Sequence, residues 1–166
     1  MRANFVKFRT SDTKFGLVIQ DRTMKMALKL CISAENAETG GILFGRYSID
    51  KCWAEVTGIS GPPGDSSRTR TSFIRGVLGL QRYLDTIWNS KKQYYLGEWH
   101  YHPFAKATAS SVDANQLKEH SESTSLRCPE PIMLIIGGNP NGLWHVKAYV
   151  HPKGGSLCEM VKLSYE

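Results

Sequence analysis

Two imidazoles and a carboxylate lie close together in this chain. His100-Tyr101-His102-Pro103 is followed, after a short spacer, by Ser110-Ser111-Val112-Asp113. Histidines one residue apart on an extended segment point to the same side, because side chains alternate with period two. Pro103 has no N–H to continue a strand ladder and ends the segment. The chain can then loop back and present Asp113 from the start of a helix. Two imidazole nitrogens and one carboxylate oxygen leave the fourth position of a tetrahedral zinc open to water, the pattern of catalytic sites. A structural site needs a fourth protein ligand, commonly cysteine, and none lies in this stretch. The expectation is therefore a Zn2+ site made by His100, His102 and Asp113.

These residues at this spacing resemble the H-x-H-P-x6-S-x-x-D signature of the JAB/MPN (JAMM) metallo-isopeptidases. That family carries a catalytic glutamate upstream, in a block of the form E-x-x-G-x-L-x-G. Glu38-Thr39-Gly40-Gly41-Ile42-Leu43-Phe44-Gly45 is similar to it. The two blocks lie far apart, so their joint occurrence is more specific than either alone. The resemblance implies Glu38 as the general base, outside the metal's ligand set, which takes a proton from water and returns it to the leaving amine. It implies Ser110 as a donor to the oxyanion, a role worth about 2.7–4 kcal/mol of barrier. Ser110 equally suits a helix N-cap, and the adjacent Ser111 is the second choice. Asp113 suits a first helical turn through the macrodipole, which is compatible with ligation. Glu98 competes with Glu38, because it shares the alternating face of His100 and His102. It could be a ligand, an orienter of an imidazole or a plain strand residue. The block around Glu38 matches the family pattern and the position of Glu98 does not, so Glu38 is preferred.

The rest of the chain is most similar to the short stand-alone bacterial members of that family. Gly61-Pro62-Pro63, Arg68-Thr69-Arg70-Thr71-Ser72-Phe73, Gly79-Leu80-Gln81 and Gly97-Glu98-Trp99-His100 carry this likeness. Such members occur in cyclic-oligonucleotide antiphage (CBASS) operons beside an activating/conjugating enzyme fusion. The resemblance implies hydrolysis of the amide bond after a ubiquitin-like C-terminal tail, removing a nucleotidyltransferase from its conjugates. Trp99, Tyr101 and Phe104 are expected to shape the groove in which an extended tail adds to a sheet edge. The alternative is a non-catalytic MPN scaffold, but scaffolds of that kind have lost ligands that this chain retains.

The elements that must position these residues can be read from hydrophobic period and turn chemistry. Strands are expected from Asn4 to Thr10 and from Phe15 to Gln20, then a helix from an N-cap at Asp21 through Leu30. Gly40-Gly41 breaks to a strand over 42–47, and a further strand runs from Trp53 to Ile59. A helix over 76–88 precedes the strand from Tyr94 that delivers the histidines. A helix from about Ser111 to Ser123 follows, then strands over 132–136 and 143–150, joined by the turn Asn139-Pro140-Asn141-Gly142. Interleaved strands and helices predict an α/β architecture: a mixed β-sheet packed by helices. The resemblance implies the JAB/MPN fold, which is cytidine deaminase-like, in one domain over 1–166.

The composition suits a folded protein, with 41% hydrophobic and 22% charged residues, which argues against disorder. No apolar run approaches a membrane span, and the charged, alternating Met1-Arg2-Ala3-Asn4-Phe5-Val6-Lys7-Phe8 does not read as a signal peptide. Cys31, Cys52, Cys128 and Cys158 show no paired spacing and read as reduced thiols of a cytoplasmic protein. The net charge of +6 raises a nucleic-acid reading, but no recognition motif accompanies it. The dense basic cluster is Arg68, Arg70 and Arg75, either a solvated loop or a dock for an acidic partner.

Overall fold

The computed structural model describes residues 5–164. Met1–Asn4, and with them the expected start of the first strand, lie outside these residues. In chain order the elements are β1 (Phe5–Arg9), β2 (Gly16–Gln20), α1 (Asp21–Ala34), β3 (Thr39–Tyr47) and β4 (Trp53–Ile59). A small hairpin, β5 (Ser67–Arg68) and β6 (Phe73–Ile74), leads to α2 (Leu80–Lys91) and β7 (Tyr94–Pro103). Then come α3 (Ser111–Glu122), β8 (Ile132–Gly138), β9 (Trp144–Val150) and β10 (Cys158–Lys162).

The expected helix-packed α/β sheet of the JAB/MPN type is not what forms. Among the described residues, eight strands close into a mixed barrel in the order β1-β10-β9-β8-β7-β3-β4-β2, accompanied by three helices. Closure is made by β10, which pairs antiparallel with β9 on one side and with β1 on the other, through Phe8↔Lys162 and Arg9↔Val161. Nothing after Val150 was expected to be a strand. The sequence Cys158-Glu159-Met160-Val161-Lys162 buries only Met160, too weak an alternation to read as a strand on its own.

Most neighbours are antiparallel, but β2–β4 and β7–β8 are parallel. A parallel pair needs a crossover, usually a helix. For β7–β8 that crossover is α3, which brings the helix start back to the end of β7.

Side-chain alternation divides the core in two. Leu43, Leu96, Trp99, Tyr101, Leu134, Ile136, Ala148 and Val150 form one cluster with Leu17, Ile19 and Val56, and α1 adds Met24, Ala27, Cys31 and Ala34 to it. The opposite face of the same strands is covered elsewhere. Ile42, Phe44 and Tyr95 pack with Ile87 of α2, and Met133, Ile135 and Tyr149 pack with Leu117 of α3.

A bulge sets the phase of β7. Leu43 faces Gly97 and Phe44 faces Tyr95 across the β3–β7 ladder, so Leu96 is skipped. Gly97 has φ +143°, a backbone that residues with a Cβ rarely adopt. The extra residue leaves Leu96, Trp99 and Tyr101 in the main cluster. It turns Tyr95, Glu98, His100 and His102 toward the helices. A Cβ at position 97 would also collide with the Ile132 carbonyl of β8. Gly97→Ala is therefore expected to destabilise the protein by about 1–3 kcal/mol in urea unfolding. An unchanged midpoint would contradict this role for the bulge.

Candidate metal centre

The site lies where β7 ends and α3 begins. His100 and His102 leave β7 on the outward face fixed by the bulge, and Asp113 occupies the first turn of α3. Ser110 caps that helix: its Oγ accepts from the Asp113 N–H at 3.1 Å, while Asp113 Oδ2 accepts from the Ser110 N–H and from its hydroxyl, both at 2.7 Å. This reciprocal capping box, typically worth about 1 kcal/mol for the cap alone, fixes where the carboxylate sits. Asp113 Oδ1 meets His100 Nδ1 at 2.8 Å, and Oδ2 lies 3.7 Å from His102 Nε2. Ligand atoms of His100, His102 and Asp113 all fall within 4.8 Å of one another. Two nitrogens and a carboxylate oxygen converging in this way suit a borderline-soft divalent cation with room for a further ligand.

Burial and charge act in opposite senses here. Burial disfavours an ionised Asp113, yet its bond to His100 and the Ser110 donors prevail and hold the carboxyl at about 2. Burial likewise opposes a charged His100, but Asp113 and Glu98 raise it to about 9. His102 is pushed down by burial, against the pull of Asp113.

Glu38 sits between α1 and β3, and its N–H donates to the Thr69 carbonyl at 2.8 Å. The ladder register places Thr39 opposite Tyr101 and Gly40 opposite His100, so Glu38 arrives at the level of the histidines. Gly40 permits this approach, since a Cβ there would collide with the Trp99 carbonyl and stand 2.7 Å from the Phe73 ring. Burial raises the Glu38 carboxyl to about 7; the charge of Asp113 adds to the rise and His100 opposes it. Glu38, His102, Ser110 and Asp113 line one cleft of about 590 Å³.

The structure thus brings Glu38, His100, His102, Ser110 and Asp113 together, and it separates the expected groove residues from them. Trp99 and Tyr101 are fully buried in the main core cluster. The alternation that aims the histidines outward aims these two rings inward, so they shape no groove. Phe104 is exposed, with φ +56°, and stands outside the cleft lining. The walls come instead from Phe73, Ile74, Val112 and Lys106. The reading of Arg75 as a docking residue also fails, because its side chain is buried against Glu98, while Arg68 and Arg70 remain exposed. Sequence reasoning missed Phe73, whose ring meets the His100 ring edge-on at 5.2 Å. It also missed His120, whose Nδ1 lies 3.4 Å from Glu98 Oε1. Only the membership of Phe73 in the 68–73 stretch hinted at either.

No model of a known protein family matches the chain. Among curated proteins, a CD-NTase/cGAS isopeptidase of Enterobacter hormaechei subsp. hoffmannii (strain UCI 50) is 36% identical over 149 residues, 90% of this chain and 82% of the relative. The chain belongs to this isopeptidase family. Family membership makes it a hydrolase of the peptidase class, and the resemblance carried by the two motif blocks holds. A probable metalloprotease, y4qB, of Sinorhizobium fredii (strain NBRC 101917 / NGR234) is 28% identical over 135 residues, covering 80% of this chain and 81% of the relative. The solution structure of protein DSY2949 from Desulfitobacterium hafniense superposes with a TM-score of 0.60 at 19% identity, over 85% of this chain and 87% of that one, a likeness of fold. Among the described residues no helix is long and apolar enough to cross a membrane.

If the three converging side chains hold a metal, the purified chain should carry about one tightly bound divalent ion. His100→Ala, His102→Ala and Asp113→Ala should each lose it in elemental analysis. Stoichiometric metal in all three variants would contradict the assignment.

Proposed function

We propose that this protein is a zinc-dependent isopeptidase that cleaves the amide bond after a ubiquitin-like C-terminal tail, releasing a nucleotidyltransferase from its protein conjugates in antiphage defence. The observation that carries the reading is the convergence of His100, His102 and Asp113 ligand atoms within 4.8 Å, beside a cleft that Glu38 also lines. The 36% identical relative, a CD-NTase/cGAS isopeptidase, supports the substrate class.

His100, His102 and Asp113 would hold zinc, which when bound polarises a carbonyl and makes water acidic enough to ionise near neutral pH. Glu38 does the proton work. Its carboxyl, raised by burial to about 7, can take a proton from the attacking water and return it to the leaving amine nitrogen. Ser110 holds Asp113 through the capping box. For the oxyanion role, its hydroxyl proton turns from Asp113 Oδ2 to the carbonyl oxygen of the substrate. The cleft admits an extended tail between the 70–74 segment and the 103–112 segment. Ile74 and Val112, both exposed, offer apolar contact on either side of it.

The test uses a nucleotidyltransferase joined through its C-terminus to a lysine side chain. Glu38→Gln keeps size and spares the ligands, so metal content and conjugate binding should persist while hydrolysis falls by ~10²–10⁴. Wild-type turnover in Glu38→Gln would remove Glu38 from the mechanism. An intact conjugate after incubation with the zinc-loaded wild type would remove the substrate assignment.

A further inference from the structure

We infer that Arg75, acting through Glu98, is a positioning residue that fixes the ring orientation and tautomer of His100. The inference rests on the metal-site reading of His100, His102 and Asp113. Glu98 is completely buried, on the outward face of β7 beside His100, and a buried carboxylate is retained only when paired. Arg75 supplies the pairing: its side chain is 6% exposed, and Nε donates to Glu98 Oε1 at 2.7 Å. A second guanidinium N–H donates to the Gly76 carbonyl at 2.8 Å, which ties the fork to its own backbone. His120 Nδ1 approaches the same oxygen at 3.4 Å, and the Tyr95 hydroxyl lies 3.2 Å from that nitrogen.

With Oε1 occupied, Oε2 is left facing His100 Nε2 at 3.5 Å. Both atoms are buried, and neither has a hydrogen-bond partner among the described residues. They are complementary, and a shift of a few tenths of an ångström closes an N–H···O bond. The other edge of the ring presents Nδ1 to Asp113 Oδ1 at 2.8 Å. Without a metal, Nδ1–H donates to the ionised Asp113; a metal held by this cluster would take the Nδ1 lone pair in place of that proton, which leaves to solvent, while Nε2 keeps its N–H toward Glu98 Oε2. This is the carboxylate–histidine arrangement that orients metal-binding imidazoles. The Phe73 ring, edge-on at 5.2 Å, limits rotation of the imidazole. Phe73 and Arg75 belong to one short segment, so the segment that walls the cleft also sets the ligand.

The experiment measures zinc affinity by chelator competition, and the visible spectrum of the Co2+-substituted protein, for full-length wild type, Arg75→Met, Arg75→Lys and Glu98→Gln. Arg75→Met and Glu98→Gln should bind zinc about 10- to 100-fold more weakly and shift the cobalt bands. Arg75→Lys, which keeps a cation on Glu98, should recover part of the loss. Folded variants with wild-type affinity and wild-type cobalt spectra would overturn the inference. Should the variants fail to fold, long-range 1H–15N spectra of the zinc-loaded wild type decide it: Nε2 of His100 is expected to carry the proton, and a protonated Nδ1 would overturn it. A wild type that takes up no zinc would instead bring down the metal-site reading, and this inference with it.

Discussion

Alternation along β7 is the constraint on which the rest of this structure depends. One strand must send large aromatic rings into the core while sending two imidazoles and a carboxylate the other way, and period two allows both only if the phase is right. The bulge at Gly97 sets that phase. Each ring buried on the inner side stabilises the fold by about 1.5–3 kcal/mol, so Trp99 and Tyr101 lock the register that aims His100 and His102. A one-residue slip would exchange the two sets. Core and site are thus specified by the same backbone geometry.

The second requirement is electrostatic. The outward face of β7 is covered by α2, α3 and the 67–79 segment, so its polar groups are not solvated. Glu98, His100 and Asp113 are each at most 5% exposed, and they survive there because each is paired. Removing one partner from a buried ion pair typically costs more than the pair contributes, so Arg75 and Glu98 must be present together. This explains why a segment of exposed, basic appearance is anchored so firmly. Thr69 accepts from the Glu38 backbone, Phe73 packs on His100, and Arg75 reaches Glu98. The Glu38 backbone, the His100 ring and the buried Glu98 carboxylate are all braced from one stretch of chain.

How much of this was legible in the sequence follows from how local each feature is. His100, His102 and Asp113 lie within fourteen positions, and strand alternation, Pro103 and the Ser110–Asp113 spacing encode their convergence directly. Glu38 was legible through the glycines that follow it, which the close contact with β7 and Phe73 now explains. The inward turn of Trp99 and Tyr101 was also legible, since the rule that faces the histidines outward faces their neighbours inward. Barrel closure was not, because it depends on a short, mostly exposed strand pairing with the far end of the chain. The Arg75–Glu98 pair was hidden for a similar reason: its members are 23 residues apart, and the arginine sits in a run whose composition resembles a solvated loop.

We propose His100, His102 and Asp113 as the ligand set, with Glu38 beside it and Glu98 behind it. The most direct measurement is anomalous scattering at the zinc edge from crystals grown with equimolar zinc. One peak per chain is expected, in contact with Nδ1 of His100, with His102 and with Asp113, while the Glu38 and Glu98 carboxylates stay out of ligand distance. A peak ligated by Glu38 or Glu98, or no peak among these three side chains, would contradict it.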